Sequence, residues 1–267
     1  MSVFDDAVAL KEQPDGGWLG RTSDAYANMV GPYGGITAAV MLNAAMSHGE
    51  RAGEPLALTV NFAAPVADGA YRVHARIVRN NRSTQHWSLE LVQETGVVAT
   101  GTSVFALRRD TWSAAEVEMP SGLPRPEELP RAPVQGRPPW VLRYDMRFVS
   151  GGLSAFDGRA QPDARTCLWI RDDPPRALDF ISLAAICDNF YPRIFLRRHK
   201  RSLAGTVSMT TYFHADRAML AGQADRFVLG VARALSYRKG FFDQSAEIWS
   251  DAGQLLASTH QIVYFRD

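Results

Sequence analysis

Apolar and polar positions along the chain follow two rhythms, and both rhythms occur twice in the same order. "GPYGGITAAVMLNAAMSHG" is nearly all apolar and opens on glycines, which predicts a helix buried around most of its circumference. Four stretches follow in which apolar residues alternate with polar ones, "PLALTVNFAAPV", "YRVHARIVR", "STQHWSLELVQ" and "GVVATGTSVFALRR". Period-two alternation predicts strands with one face turned to a core. Further on, "RALDFISLAAICDNFYPRIF" again predicts an apolar helix, and "GTVSMTTYFHAD", "RFVLGVARALSY", "DQSAEIWS" and "QLLASTHQIVYFRD" again predict strands. The turns match as well: "QETG" and "SDAG" each join the last two strands of their set, with glycine where a hairpin favours positive φ. Two more strands, in "PWVLRYDMRFVSG" and "ARTCLWIRDD", are expected ahead of the second helix.

Between the two sets, Pro120, Pro124, Pro126, Pro130, Pro133, Pro138 and Pro139 punctuate a stretch with little apolar periodicity. Proline at that density prevents regular helix or ladder pairing. The expected division is an N-terminal unit over 1–108, a linker over 109–139 and a C-terminal unit over 140–267. An apolar helix followed by four alternating strands describes a helix wrapped by a curved antiparallel sheet, the hotdog architecture. Five elements recurring in order make this an α+β double hotdog, two helix-wrapped antiparallel sheets in tandem forming one continuous sheet.

Three polar residues interrupt apolar surfaces in the second repeat, and the equivalent positions of the first look inert. In "LLASTHQIVYFRD" the inward set contains Gln261, whose amide needs partners or costs roughly 1–3 kcal/mol. Asp188 falls on the helical stripe Ile181, Ala184, Ala185, Asp188, and Thr206 lies at the start of the following strand. Alignment of the repeats sets Ser103 opposite Gln261, and the first helix carries no acid. An asymmetric polar set inside a symmetric fold points to a site.

Composition narrows the classes. An apolar fraction of 46% and a charged fraction of 21% are those of a globular protein, and a formal charge of +1 gives no overall field for nucleic acid or an anionic membrane. Only Lys11, Lys200 and Lys239 are lysines, so the positive charge is nearly all guanidinium, suited to fixed contacts with phosphate or carboxylate. Cys167 and Cys187 form no spaced pair and are expected to be reduced and buried. The acidic start "MSVFDDAVAL" and the lack of ~18 consecutive apolar residues lead to a cytoplasmic expectation. The histidines show no metal-binding spacing, and no metal is expected. The nearest approach to a nucleophile elbow, Gly152 to Phe156, lacks the second glycine.

The chain resembles the acyl-CoA thioesterase II family of double hotdog proteins over nearly all of its length outside the linker. The resemblance is carried by "GGITAAVMLNAA", "LTVNFAAPVADG", "RSTQHWSLELVQ" and "VATGTSVF" in the first repeat. In the second it is carried by the Asp-bearing helix, "GTVSMTTYFH" and "LLASTHQ". It implies a hydrolytic set of Asp188, Thr206 (eight before His214) and Gln261 (after Ala257, Ser258 and Thr259), acting on an acyl-CoA by direct attack of water. No cofactor is implied beyond the CoA of the substrate. Gly34 and Gly35 are candidates for letting the thioester approach the first helix, and Arg82, Arg238 and Lys239 for meeting the CoA phosphates. Asn81 stands where the family has glycine before the Arg-Ser pair. The resemblance also implies a homodimer or homotetramer built by sheet-edge pairing, unless charges on "RVHARIVR" blunt an edge. The alternatives are a non-catalytic acyl-thioester binding protein and a hotdog hydratase or dehydratase; the latter commonly carries D-x4-H, and Asp188 is followed through Tyr191, Pro192 and Arg193 with no histidine at that spacing.

Overall fold

The computed structural model describes residues 2–153 and 157–266. The first repeat contains α1 (Val3–Ala7), β1 (Lys11–Glu12), β2 (Trp18–Arg21), α2 (Gly34–Met46), β3 (Glu54–Phe62), β4 (Ala70–Asn80), β5 (Thr84–Gln93) and β6 (Gly96–Ala106). The second contains β7 (Tyr144–Ser150), β8 (Thr166–Asp172), α3 (Phe180–Ile186), α4 (Arg193–Arg198), β9 (Leu203–Phe213), α5 (Arg217–Gln223), β10 (Val228–Arg233), β11 (Tyr237–Arg238), β12 (Phe241–Trp249) and β13 (Leu255–Arg266). The linker stretch is irregular apart from short 3-10 turns at Pro126–Glu128 and Pro139–Arg143.

All the strands join one antiparallel sheet. Its order runs β1-β2-β4-β5-β6-β3-β9-β13-β12-β10-β8-β7, with the short β11 paired to β12. Reading outward from the middle, the two repeats list their strands in the same order, so a pseudo-two-fold axis crosses the β3–β9 junction. There Thr59 pairs with Thr210, and their hydroxyls lie 3.0 Å apart. The first repeat therefore has upstream strands too, β1 and β2, which the alternation did not predict because they are two and four residues long. Only the first two residues of "RVHARIVR" are covered on both sides: β2 pairs with β4 as far as Val73, and from His74 onward β4 is paired with β5 alone.

The sheet curves round α2, in which ten of 13 residues are buried, including Met41 and Leu42 at 0% exposure. That explains a helix with no polar face: one side meets the sheet and another meets α3. Tyr33, the residue before α2, donates its hydroxyl to the Ala185 carbonyl at 2.7 Å and fastens the two helices together. The hairpins at "QETG" and "SDAG" form as expected, with Gly96 at φ 108° and Gly253 at φ 82°.

The second helix departs from expectation. One helix spanning "RALDFISLAAICDNFYPRIF" is not formed; α3 ends at Ile186 and α4 begins at Arg193. Asp179 caps α3, its carboxylate accepting from the Ser182 N–H at 2.8 Å. The break follows from Pro192, which disfavours helical backbone at Tyr191 and begins α4 as its cap. Asp188 thus sits in a turn two residues beyond α3. Cys187 is buried and Cys167 half-buried, and neither is in a disulfide. Among the described residues no helix is long and apolar enough to cross a membrane.

Candidate active site

Three elements bring Asp188, Thr206 and Gln261 together. Gln261 points inward from β13 and is only 2% exposed. Its Nε2 donates to Asp188 Oδ1 at 2.7 Å, and its Oε1 accepts from the Thr206 hydroxyl at 3.2 Å. The same Nε2 lies 3.4 Å from Met209 Sδ. Both ends of the amide are engaged, so its orientation is fixed. Thr206 reaches Gln261 because of a bulge. Gln261 pairs with Met209 and Ile262 with Ser208, but the register then slips and Val263 pairs with Thr206. The slip turns Thr206 to the inner face and leaves Val207 outside, 38% exposed.

Among the described residues Asp188 has no cationic partner. Burial pushes its carboxyl up to about 7, against the opposing hydrogen bonds from the Gln261 side chain and the Gly35 N–H. Its remaining exposure is into a cavity of about 360 Å³, which Thr206 and Gln261 also line. Much of the cavity wall is aromatic: Phe62, Phe190, Tyr191 and Phe195 join Tyr33, whose ring stacks on Trp140 at 4.4 Å and 9°. Trp140 directly follows the linker stretch, which itself contributes Arg137 and Pro138 to the cavity wall and gave no sign of contributing to a site. A carboxylate with a raised pKa in an apolar pocket with a few convergent polar groups has the features of an active site.

The other expected site residues divide. Gly34 lines the cavity, and a Cβ there would stand 2.8 Å from Asp188 Oδ2. Gly35 instead serves close packing, since its Cβ would meet the Ala185 carbonyl and the Tyr33 ring at 2.5 Å. Arg82 lies away from the cavity. It follows β4 at the end of the sheet where Thr84 pairs with Ala106, and Ala106 with Glu54, whereas the cavity opens at the Phe62 end of β3. Arg238 and Lys239 form the β11–β12 hairpin, at the same end as the cavity residues Tyr264 and Gly205, without lining the cavity. The arginines that do line it are Arg137 and Arg201, absent from the sequence expectation. Among the described residues neither is paired with a carboxylate. His214 and His260 are exposed at strand surfaces, His214 lying 2.9 Å from Ser258 Oγ. Among the described residues no cluster of His, Cys, Asp or Glu could hold a metal ion. The Gly152–Phe156 segment falls partly outside the described residues, at 154–156.

In the first repeat the positions equivalent to the polar set are closed. Ser103, paired with Leu58 as Gln261 is with Met209, donates its hydroxyl to the Ala57 carbonyl at 2.8 Å. Both repeats frame the cavity, but the Asp188, Thr206 and Gln261 set comes from the second alone.

Fold and site define the class of an asymmetric double hotdog with one carboxylate-centred pocket. The chain belongs to the acyl-CoA thioesterase family: residues 23–106 match the acyl-CoA thioesterase N-terminal domain and residues 120–265 the C-terminal domain. It is similar to a conserved hot dog protein of unknown function from Alicyclobacillus acidocaldarius, with 48% identity, a TM-score of 0.94 and coverage of 100% of this chain and 99% of that one. An acyl-CoA thioesterase II from Mycobacterium marinum is 18% identical, with a TM-score of 0.76 over 99% of this chain and 98% of that one. The tesB protein of Mycobacterium avium subsp. paratuberculosis is 17% identical, with a TM-score of 0.79 and the same coverage. These two likenesses concern the fold. No curated protein matches the chain.

Proposed function

We propose that the protein hydrolyses an acyl-CoA thioester to the free acid and CoA, with Asp188 activating the attacking water. The observation that carries this reading is the Asp188 carboxylate, raised to about 7, held by Gln261 at 2.7 Å and opening into an apolar cavity. A general base works best when its pKa lies near the working pH, and burial provides this. One proton of the water goes to Asp188 as the oxygen adds to the carbonyl carbon, and the C=O pair moves onto oxygen. Collapse expels the CoA thiolate, and the proton from Asp188 neutralises it. Thr206 is not placed to be a nucleophile, because its hydroxyl proton is given to Gln261 and no base adjoins it. Its role, with Gln261, is to hold the carboxylate. No histidine lines the cavity among the described residues, which weighs against hydratase chemistry.

The test is thiol release from a panel of acyl-CoAs, from short to long and aromatic. Across pH, kcat/KM is expected to be low when Asp188 is protonated, to rise through an apparent pKa of about 7 and to level off above it. No release from any thioester would favour the binding-protein reading, whereas turnover with an acid limb near 4 would remove Asp188 as the base.

Arg137 and Arg201, rather than Arg82, are the proposed contacts for the CoA phosphates. Replacing both by alanine is expected to raise KM for an acyl-CoA about tenfold and to reduce its salt dependence. KM for the corresponding N-acetylcysteamine thioester, which carries no phosphate, should stay within about twofold. An equal rise for both substrates would instead mean that the arginines shape the pocket.

A further inference from the structure

Gln244 lines the same cavity, is 2% exposed and takes no part in the Asp188–Gln261–Thr206 chain. It sits on β12 directly opposite Gln261 on β13, so the two amides leave the same face of the sheet side by side. Its Oε1 accepts from Arg193 Nε at 2.9 Å. A guanidinium can only donate, so this bond fixes which end of the amide is the oxygen. Nε2 meets no protein partner among the described residues.

Arg193 is wholly buried, and among the described residues no carboxylate pairs with it. Its Nη1 donates to the Ala164 carbonyl at 2.9 Å and to Thr166 Oγ1 at 2.6 Å, and Nη2 donates to the Tyr191 carbonyl. Burying a guanidinium without a counterion is costly. One effect of this arrangement is to hold the Gln244 carbonyl away from the cavity, leaving the NH2 as the end free to meet a ligand. The pseudo-symmetry gives an internal control: Trp87 faces Ser103 in the first repeat where Gln244 faces Gln261 in the second. At the equivalent place the fold is thus satisfied by an indole, 1% exposed.

We infer that Gln244 is a catalytic residue whose Nε2–H donates to the thioester carbonyl oxygen and holds the oxyanion that forms when water adds. The inference rests on the water-attack reading above. As the water proton passes to Asp188 and the new C–O bond forms, the C=O electron pair becomes an oxyanion lone pair and strengthens the bond from Gln244. On collapse the pair returns to carbon, the C–S bond breaks, and the bond from Gln244 weakens again.

The test compares Gln244→Met and Gln244→Glu with the parent and with Asp188→Asn. Loss of one preorganised oxyanion donor lowers kcat by about 100-fold or more. Gln244→Met should show that loss with KM changed less than about threefold and with the acid limb unmoved. It should also weaken binding of a trifluoromethyl ketone analogue of the acyl-CoA, whose carbon becomes tetrahedral, while binding the saturated thioether analogue as the parent does. A purely structural role would weaken both analogues alike. Gln244→Glu keeps the acceptor for Arg193 but presents no donor, so it should melt no lower than the parent and be as inactive as Gln244→Met. Should Gln244→Met fail to fold, Gln244→Glu decides alone. Either variant within about threefold of the parent kcat overturns the inference. An active Gln244→Met beside an inactive Asp188→Asn would sink the donor alone, whereas a fully active Asp188→Asn would sink the water-attack reading beneath it.

Discussion

Asp188→Asn is expected to lower kcat by about 100-fold or more and, at pH 8, to raise the melting temperature. The first effect is the size expected for losing a positioned general base. Asparagine keeps the shape and still accepts from Gln261 Nε2, so the loss would report the proton rather than the packing. The second effect follows from linkage. In the unfolded chain Asp188 titrates near the ordinary 3.8, whereas burial holds it at about 7 in the fold. Below pH ~4 the group is protonated in both states and contributes nothing. Between about 4 and about 7 the unfolded chain binds fewer protons, so stability falls as pH rises, and above 7 the full penalty persists. Asparagine cannot ionise and removes that penalty, so the gain in melting temperature should be present at pH 8 and absent at pH 3. A variant as active as the parent, or one with no pH-dependent gain, would contradict the role given to this carboxylate.

The second large effect separates two adjacent glycines. Gly34→Ala places a Cβ 2.8 Å from Asp188 Oδ2, the free end of a side chain that can swing aside. Folding should be little changed, but the carboxylate would leave its place, and kcat should fall by about tenfold or more, because small displacements of a reacting group are expensive. Gly35→Ala drives its Cβ to 2.5 Å from a backbone carbonyl of α3 and the Tyr33 ring, neither of which can yield without moving a helix. It should cost about 1–3 kcal/mol of stability, as overpacking does. Urea titration beside turnover would distinguish them. Equal stability losses for both, or an active Gly34→Ala, would break the link between this helix start and the carboxylate.

The strands after each helix were legible because one face of each is buried and the other is not, and alternation reports that contrast directly. β1 and β2 were hidden because two and four residues are too short to establish a rhythm. The helix carrying Asp188 was overextended because apolar residues continue past its end into a packed turn, although Asn-Phe-Tyr-Pro marked the break. Gln261 was legible as an amide on an apolar face. Gln244 satisfied the same test, with Phe242, Ala246 and Ile248 sharing its buried face, yet short polar neighbours made the strand look solvated. The bulge that turns Thr206 inward has no signature in alternation, and its place in the hydrolytic set came from the resemblance. Arg137 and Pro138 reach the cavity from the proline-rich stretch, and Trp140 from just beyond it, a long-range placement that local pattern does not encode.

Trp87 in the place that mirrors Gln244 has a consequence for what this lineage can become. Duplication ordinarily leaves two copies free to take up separate tasks, but here the spare copy has been filled with an indole packed against Phe105 and His48. Reopening it would require emptying a filled interior and inserting several polar groups at once, with each intermediate less stable than its parent. One copy is committed to bearing weight, and a second specificity is more readily gained by reshaping the existing pocket than by reviving its twin.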